Sequence, residues 1–121
     1  MTRVLVVEDD TWLADSHGAV LQNAGYEVET IPHPLAVMDA IDAVLPDVII
    51  LDVLLGGATA FALLNELQSH SDTQAIPLVL CTNLAEQLAE VQLEAYGVKR
   101  ILDKTTMHPD DIVAAVKAVA E

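Results

Sequence analysis

The sequence predicts an α/β domain in which a parallel sheet carries helices on both faces. Three observations predict it. Val4-Leu5-Val6-Val7, Val48-Ile49-Ile50-Leu51 and Leu78-Val79-Leu80-Cys81 are apolar at consecutive positions, as strands buried on both faces require. Stretches with apolar residues at helical spacing separate these runs. The connections are short, and no Gly/Ser-rich linker, internal repeat or low-complexity tract interrupts them. Strand and helix alternate five times, and right-handed crossovers then wind the chain over both faces of one sheet.

Each element has its own signal. Val4 to Val7 is the first strand. Thr11 to Ala24 is the first helix, with Leu13, His17, Val20, Leu21 and Ala24 on one face and Gly25 as its stop. Tyr26 to Ile31 alternates, Glu27 and Glu29 standing between Tyr26, Val28 and Thr30, and reads as an edge strand. Pro34 to Leu45 is the second helix, with Pro34 in the first turn and Leu35, Met38, Ile41 and Leu45 on one stripe. Val48 to Leu51 is the third strand. Ala60 to His70 is a helix through Phe61, Leu64 and Leu67, and Leu78 to Cys81 is the fourth strand. Leu84 to Tyr96 places Leu84, Leu88, Val91 and Ala95 together and ends at Gly97. Val98 to Leu102 is a weaker fifth strand, and Pro109 to Ala120 closes the chain with Ile112, Val113, Val116 and Val119 on its inner face.

Size and charge narrow the function. The 121 residues are expected to form one domain, 1–121. Apolar residues make up 53% and aromatics only 3%, so the core is aliphatic. Nineteen acidic residues face five basic ones, Arg3, Lys99, Arg100, Lys104 and Lys117, for a net charge of -14. Such a surface repels phosphate backbones and anionic lipid, so direct nucleic-acid or membrane-surface binding is not expected. A lone Cys81 excludes an internal disulfide and fits a reducing compartment. With no run of membrane-spanning length and no signal-peptide pattern, the expected location is the cytoplasm.

Ligands of doubly wound sheets sit beyond the C-terminal ends of the strands. Beyond the first strand comes Glu8-Asp9-Asp10, at the end of the third Asp52, after the fourth Thr82, and after the fifth Lys104. Crowded carboxylates repel by roughly 1 to 4 kcal/mol per close pair, so the group calls for a cation. A hard ion such as Mg²⁺ suits an all-oxygen site and shares a phosphate oxygen readily. Lys104 offers an anion a point charge and Thr82 a hydroxyl donor. Singly, each residue has a plainer role: Glu8 to Asp10 as a helix cap, Asp52 as a turn residue before Gly56-Gly57, Thr82 as a strand former, Lys104 as a solvated lysine. Their joint occurrence past four strands, in order, favours a site for carboxylate, metal and phosphoryl group together.

These segments, VLVVEDD (Val4 to Asp10), PDVIILDVLL (Pro46 to Leu55), IPLVLCTN (Ile76 to Asn83) and GVKRILDK (Gly97 to Lys104), resemble the response-regulator receiver family of two-component signalling over essentially the whole chain. The resemblance implies a CheY-like, flavodoxin-like (βα)5 fold, a five-stranded parallel sheet in the order 2-1-3-4-5. It implies that Asp52 accepts a phosphoryl group from a sensor histidine kinase or a histidine phosphotransfer protein. It further implies Mg²⁺ held by Asp9 directly, by Glu8 through water, by Asp52 and by the backbone carbonyl of Leu54. Thr82 would report phosphorylation, and Lys104 would pair with a phosphoryl oxygen. Asp10 is read as a helix cap. Such a domain is not an enzyme beyond promoting its own phosphorylation and dephosphorylation, and it signals to a downstream protein or an output domain absent from this sequence.

Several positions depart from the family pattern. Ile101 stands where Tyr or Phe is usual, removing an aromatic rotamer from the readout. Thr105 replaces the usual Pro after the lysine, and a trans Lys104–Thr105 bond is expected because a non-proline cis bond costs about 3 to 4 kcal/mol. Gly56-Gly57 and Thr59 make the loop after the acceptor more flexible, and Asn83 narrows access. Leu54 and Leu84 are apolar and cannot orient an attacking water, so slow loss of phosphate is expected. Trp12 is expected to pack at the start of the first helix and to serve as a fluorescence reporter. His17 is read as a semi-buried core histidine, His33 and His108 as helix-start residues, and His70 as part of a polar loop. Glu86, Glu90 and Glu94, with no basic residue among them, disfavour a salt-bridged dimer through the fourth helix.

Two other classes compete. A degenerate receiver that binds partners without phosphorylation is compatible with Ile101 and Thr105. A haloacid-dehalogenase-type phosphatase also uses a strand-end Asp but needs a second Asp where Leu54 stands. With neither GxGxxG nor a GxxxxGKS/T stretch, a nucleotide enzyme is not expected.

Overall fold

A computed structural model describes residues 2–33, 36–51, 58–82, 97–103, 106 and 108–120, with 58–61 and 82 described by backbone. Its strands are β1 (Arg3–Val7), β2 (Glu27–Ile31), β3 (Val48–Leu51), β4 (Leu78–Thr82) and β5 (Val98–Asp103). Its helices are α1 (Thr11–Asn23), α2 (Val37–Ala43), α3 (Ala58–Ser69) and a C-terminal helix (Pro109–Ala120). The expected helix at 84–96 lies outside the described residues. All strand pairs are parallel, in the order β2-β1-β3-β4-β5. The alternating Tyr26–Ile31 segment therefore takes an edge position, as its pattern predicts.

Consecutive apolar residues in β1, β3 and β4 feed two cores, because successive side chains of a strand leave opposite faces. Leu5, Val7, Ile49, Leu51, Leu78 and Leu80 meet Val37 and Ile41 of α2 and Leu63, Leu64 and Leu67 of α3. Val4, Val6, Val48, Ile50, Val79 and Cys81 meet Leu21 of α1 and Ile112, Ala115 and Val116 of the C-terminal helix. Each fully buried Leu, Ile or Val contributes about 1.5 to 3 kcal/mol relative to exposure, so the strands are anchored from both sides.

Local chemistry sets the helix ends. Ala24 caps α1, the Gly25 N–H donates to the Gln22 carbonyl (3.0 Å) and the Tyr26 N–H to that of Leu21 (3.1 Å). This hydrogen-bond pair needs a left-handed residue between helix and strand, and Gly25 supplies it with φ +97°. At the C-terminal helix the His108 N–H donates to Asp111 Oδ2 (2.8 Å), confirming His108 as a helix-start residue. Thr73, buried, donates its hydroxyl to the Leu67 carbonyl (2.6 Å) and so closes the end of α3.

Beyond shifts of a single residue, two helix boundaries and one strand register stand out. The second helix ends before Leu45: the described helix is Val37–Ala43, and Val44 is already extended (φ -146°, ψ 121°), while Pro34 and Leu35 lie outside the described residues. Pro46 biases the residue before it away from helical geometry, and Val44 and Leu45 are half exposed, so their hydrophobicity is not a packing signal. The third helix begins at Ala58, two residues early, so Thr59 lies in a helix rather than a loop. Strand β5 carries a register shift: Leu78 pairs with Val98 but Val79 with Arg100, leaving Lys99 as the extra residue of an edge bulge.

Arg3 also has more structure than a scattered charge. Its guanidinium bridges Glu27 (3.1 Å) and Glu29 (3.0 Å) of β2, and its backbone exchanges hydrogen bonds with Asp47 before β3. One residue thus ties three neighbouring strands at the end of the sheet opposite the expected site.

Candidate functional site

The sheet's C-terminal edge is built from chain segments leaving in register. Val7 of β1 lies opposite Ile31 of β2 and Leu51 of β3, Leu51 lies opposite Leu80 of β4, and Thr82 opposite Asp103 of β5. Glu8, Thr82 and Asp103 therefore belong to one rim.

Glu8, Asp9 and Asp10 are consecutive, yet their environments differ. The Glu8 N–H continues the ladder by donating to the Ile31 carbonyl (3.0 Å), so its side chain is held at the strand end. The carboxylate is buried, only 2% exposed. Asp9 is exposed. Asp10 turns outward as the N-cap of α1: its Oδ1 accepts from the N–H groups of Trp12 (3.0 Å) and Leu13 (3.2 Å). The cap expectation for Asp10 is met, and one carboxylate of the triplet is spent on the helix.

A buried carboxylate is costly unless compensated by a partner charge or a metal. Glu8 and Asp9 supply hard oxygen donors at a strand-to-helix junction, the donor chemistry Mg²⁺ takes, and so fit that ion. Among the described residues no group of three or more His, Cys, Asp or Glu side chains gathers as a metal site. Asp52, Leu54 and Lys104 lie outside the described residues, as do Gly56, Gly57, Asn83, Leu84, Glu86, Glu90, Glu94 and Thr105. Thr82 is the last residue of β4, and its backbone is described.

Other expectations can be placed. Ile101 is partly buried and packs against the core on the α2–α3 side. His17 is buried on the inner face of α1. Trp12 overturns its expectation: it does not pack at the helix start but is 75% exposed. Position N2 of a helix capped by Asp10 points its side chain away from the sheet, and only the helical wheel read against the cap could have signalled this. No helix among the described residues is long and apolar enough to cross a membrane.

Comparison with known proteins adds a family. Residues 4–117 match the response regulator receiver domain. The chain is 32% identical over 104 residues to a protein-glutamate methylesterase/protein-glutamine glutaminase of Anaeromyxobacter dehalogenans, covering 84% of this chain and 29% of that protein. It is 31% identical over 118 residues to the phosphate regulon transcriptional regulatory protein PhoB of Escherichia coli K12, covering 97% and 51%. These curated relatives are longer, and the chain spans about half of PhoB's length and under a third of the methylesterase's. Among solved structures, Vibrio cholerae chemotaxis protein CheY4 superposes with a TM-score of 0.88 at 26% identity, covering 98% of each chain.

Proposed function

Since the chain belongs to the response regulator receiver domain family of two-component signalling, in general a non-enzymatic signalling module, we propose that it is a working phosphoacceptor. In this reading Asp52 takes a phosphoryl group from a histidine kinase or histidine phosphotransfer protein in the cytoplasm. An Asp52 carboxylate oxygen attacks phosphorus, the P–N bond of the phosphohistidine breaks, and its electron pair returns to the imidazole nitrogen. The product is an aspartyl phosphate, later hydrolysed by water. The chain catalyses only this gain and loss on itself.

Glu8, Asp9, Asp52 and the Leu54 carbonyl would hold Mg²⁺, which when bound neutralises charge on the phosphoryl oxygens. Lys104 pairs with one of those oxygens, and the Thr82 hydroxyl donates to another. Phosphoryl transfer asks for positioning and charge compensation rather than covalent help from other side chains, and this set offers both. The change of charge then biases a partner-binding face toward a downstream protein or an output segment.

One observation carries the reading. The carboxylate of Glu8 is buried at the end of β1, and β1 runs in register with β3, Val7 opposite Leu51, whose next residue in sequence is Asp52. Strand pairing thus sets Glu8 beside the strand whose sequence continues into Asp52, and two such acids offer the hard oxygen donors that Mg²⁺ takes. The test is incubation of the chain with acetyl phosphate and Mg²⁺, read by intact mass. A gain of one phosphoryl group in the wild type and none in Asp52→Asn supports it. No gain, together with no beryllofluoride binding, indicates a receiver that binds partners without phosphorylation, the reading Ile101 and Thr105 would suit.

A further inference from the structure

Asp103 is the last residue of β5 and lies directly opposite Thr82, the last residue of β4. The two preceding pairs fix the face. Leu80 and Ile101 belong to the core on the α2–α3 side, Cys81 and Leu102 to the other core. Strand alternation returns positions 82 and 103 to the α2–α3 side together. Neighbouring strands run about 4.8 Å apart, so a carboxylate on one reaches a hydroxyl opposite it with no main-chain movement. Asp103 is also fixed beyond the ladder, where its carbonyl accepts from the Thr106 N–H (3.2 Å).

Packing does not call for an acid here. Asp is disfavoured in strands, and Asp103 is half-buried at a rim that already holds Glu8 and Asp9. A half-buried carboxylate is kept in place by hydrogen bonds, and a threonine hydroxyl on the facing strand is a donor of suitable reach. That hydroxyl carries a single proton. It cannot be given to the Asp103 carboxylate and to a phosphoryl oxygen at once.

We infer that Asp103 is a positioning residue that acts through Thr82: in the unphosphorylated chain its carboxylate accepts the Thr82 hydroxyl, and a phosphoryl group on Asp52 must win that donor away. The contact sets a threshold against spontaneous adoption of the phosphorylated arrangement. A hydrogen bond to a charged acceptor is strong enough to shift such an equilibrium about tenfold. The effect on switching rests on the proposed phosphoacceptor function, while the contact itself does not.

Two measurements on the full chain test it. In the first, the Asp103 carboxyl carbon is followed by ¹³C NMR through an acid titration with no phosphodonor present. Thr82→Val removes the donor and should raise the midpoint by about one pH unit, because a hydrogen-bonded carboxylate keeps its charge more readily. Thr82→Ser keeps the hydroxyl and should stay near the wild-type value. An unmoved midpoint in Thr82→Val overturns the inference. In the second, beryllofluoride binding with Mg²⁺ is read by ¹⁹F NMR for wild type, Asp103→Val and Asp103→Asn, and for the same changes in a Thr82→Ala background. Asp103→Val should tighten binding about tenfold and Asp103→Asn by less, since an amide oxygen accepts without a full charge. In the Thr82→Ala background the tightening should vanish. Equal tightening in both backgrounds overturns the inference, because it assigns Asp103 to plain repulsion of the phosphoryl group, and so does no tightening in either. A wild type that neither binds beryllofluoride nor gains a phosphoryl group from acetyl phosphate defeats the proposed function, and the carbon titration still decides the contact.

Discussion

Salt should stabilise this fold, against the behaviour of a protein held by surface ion pairs. The perturbation is a rise from physiological ionic strength to 1 M NaCl. The net charge is -14. A chain of this length folds to a sphere of about 18 Å radius, from a radius of gyration of about 14 Å, and unfolds to about 35 Å. With Debye lengths of about 8 Å and about 3 Å at the two salt levels, the self-repulsion of the folded sphere falls from about 7 to about 3 kcal/mol. That of the open chain falls from about 2 to about 1 kcal/mol. The native state's excess repulsion therefore drops by about 2 to 3 kcal/mol. The opposing term is loss of the two Arg3 bridges to Glu27 and Glu29; with both carboxylates facing solvent they contribute about 1 kcal/mol together. Repulsion wins, and the melting temperature should rise by roughly 4 to 10 °C. Differential scanning calorimetry across the salt series measures it, with sorbitol as an uncharged control. Because self-energy scales with the square of charge, Asp42→Asn, Glu66→Gln and Asp72→Asn combined, which take -14 to -11 at exposed sites, should cut the salt gain to about three fifths. A melting temperature that is flat or falls with salt refutes the reasoning, as does a triple variant with an undiminished response.

The remaining predictions concern the rim. Asp10→Ala removes the acceptor of two helix N–H groups and should cost about 1 kcal/mol in urea unfolding, with Asp10→Ser recovering most of it; an unchanged midpoint would deny the cap its role. Mg²⁺ should change the fluorescence of the sole tryptophan, three residues beyond Asp9, and Asp9→Asn should abolish the change; a response that survives in that variant would point to binding elsewhere. The aspartyl phosphate should persist for minutes or longer, because Leu54 and Leu84 carry no group to orient water, and loss within seconds after donor removal would contradict this. Gly97→Ala should destabilise by about 1 to 2 kcal/mol, since φ is +83° there and a Cβ would come within 2.9 Å of Gln68 Nε2; a neutral effect in denaturant titration would show that the turn relaxes.

The strands were legible because burial on both faces leaves an unambiguous mark. Val48 to Leu51 begins and ends where its apolar run does, and Val4 to Val7 differs from β1 only by Arg3. Arg3 reads as solvated in sequence, since nothing local reveals that Glu27, Glu29 and Asp47 arrive from other strands. The second helix misleads because Leu45 continues an apolar stripe that Pro46 ends: periodicity carries no information about where the backbone turns. Ala115 joins the core although its stripe suggests only larger neighbours, because close helix-to-sheet packing selects small residues that hydrophobic pattern underweights. At the rim, the order Glu8-Asp9-Asp10 announces acid chemistry but not its division. That division depends on where the ladder to Ile31 ends and the helix begins, a tertiary fact.

The division also bears on the cation. If all three acids stayed free at the mouth, their mutual repulsion would compete with any ion for compensation. Asp10 is withdrawn from that contest by two hydrogen bonds, and moving Oδ1 off Trp12 and Leu13 would cost about 1 kcal/mol of cap. Glu8 is withdrawn from water by burial, which removes its alternative of being solvated. Of the three, Asp9 alone is exposed and makes no cap. The result is one buried and one exposed oxygen donor just past β1, and Mg²⁺, which binds through one or two carboxylates and keeps several waters, needs no more from this segment. On this argument Asp10→Asn should leave Mg²⁺ affinity within about twofold, because an amide still caps, while Asp9→Asn should lower it by tenfold or more. Equal losses in the two variants would mean that the triplet acts as one undivided acidic cluster.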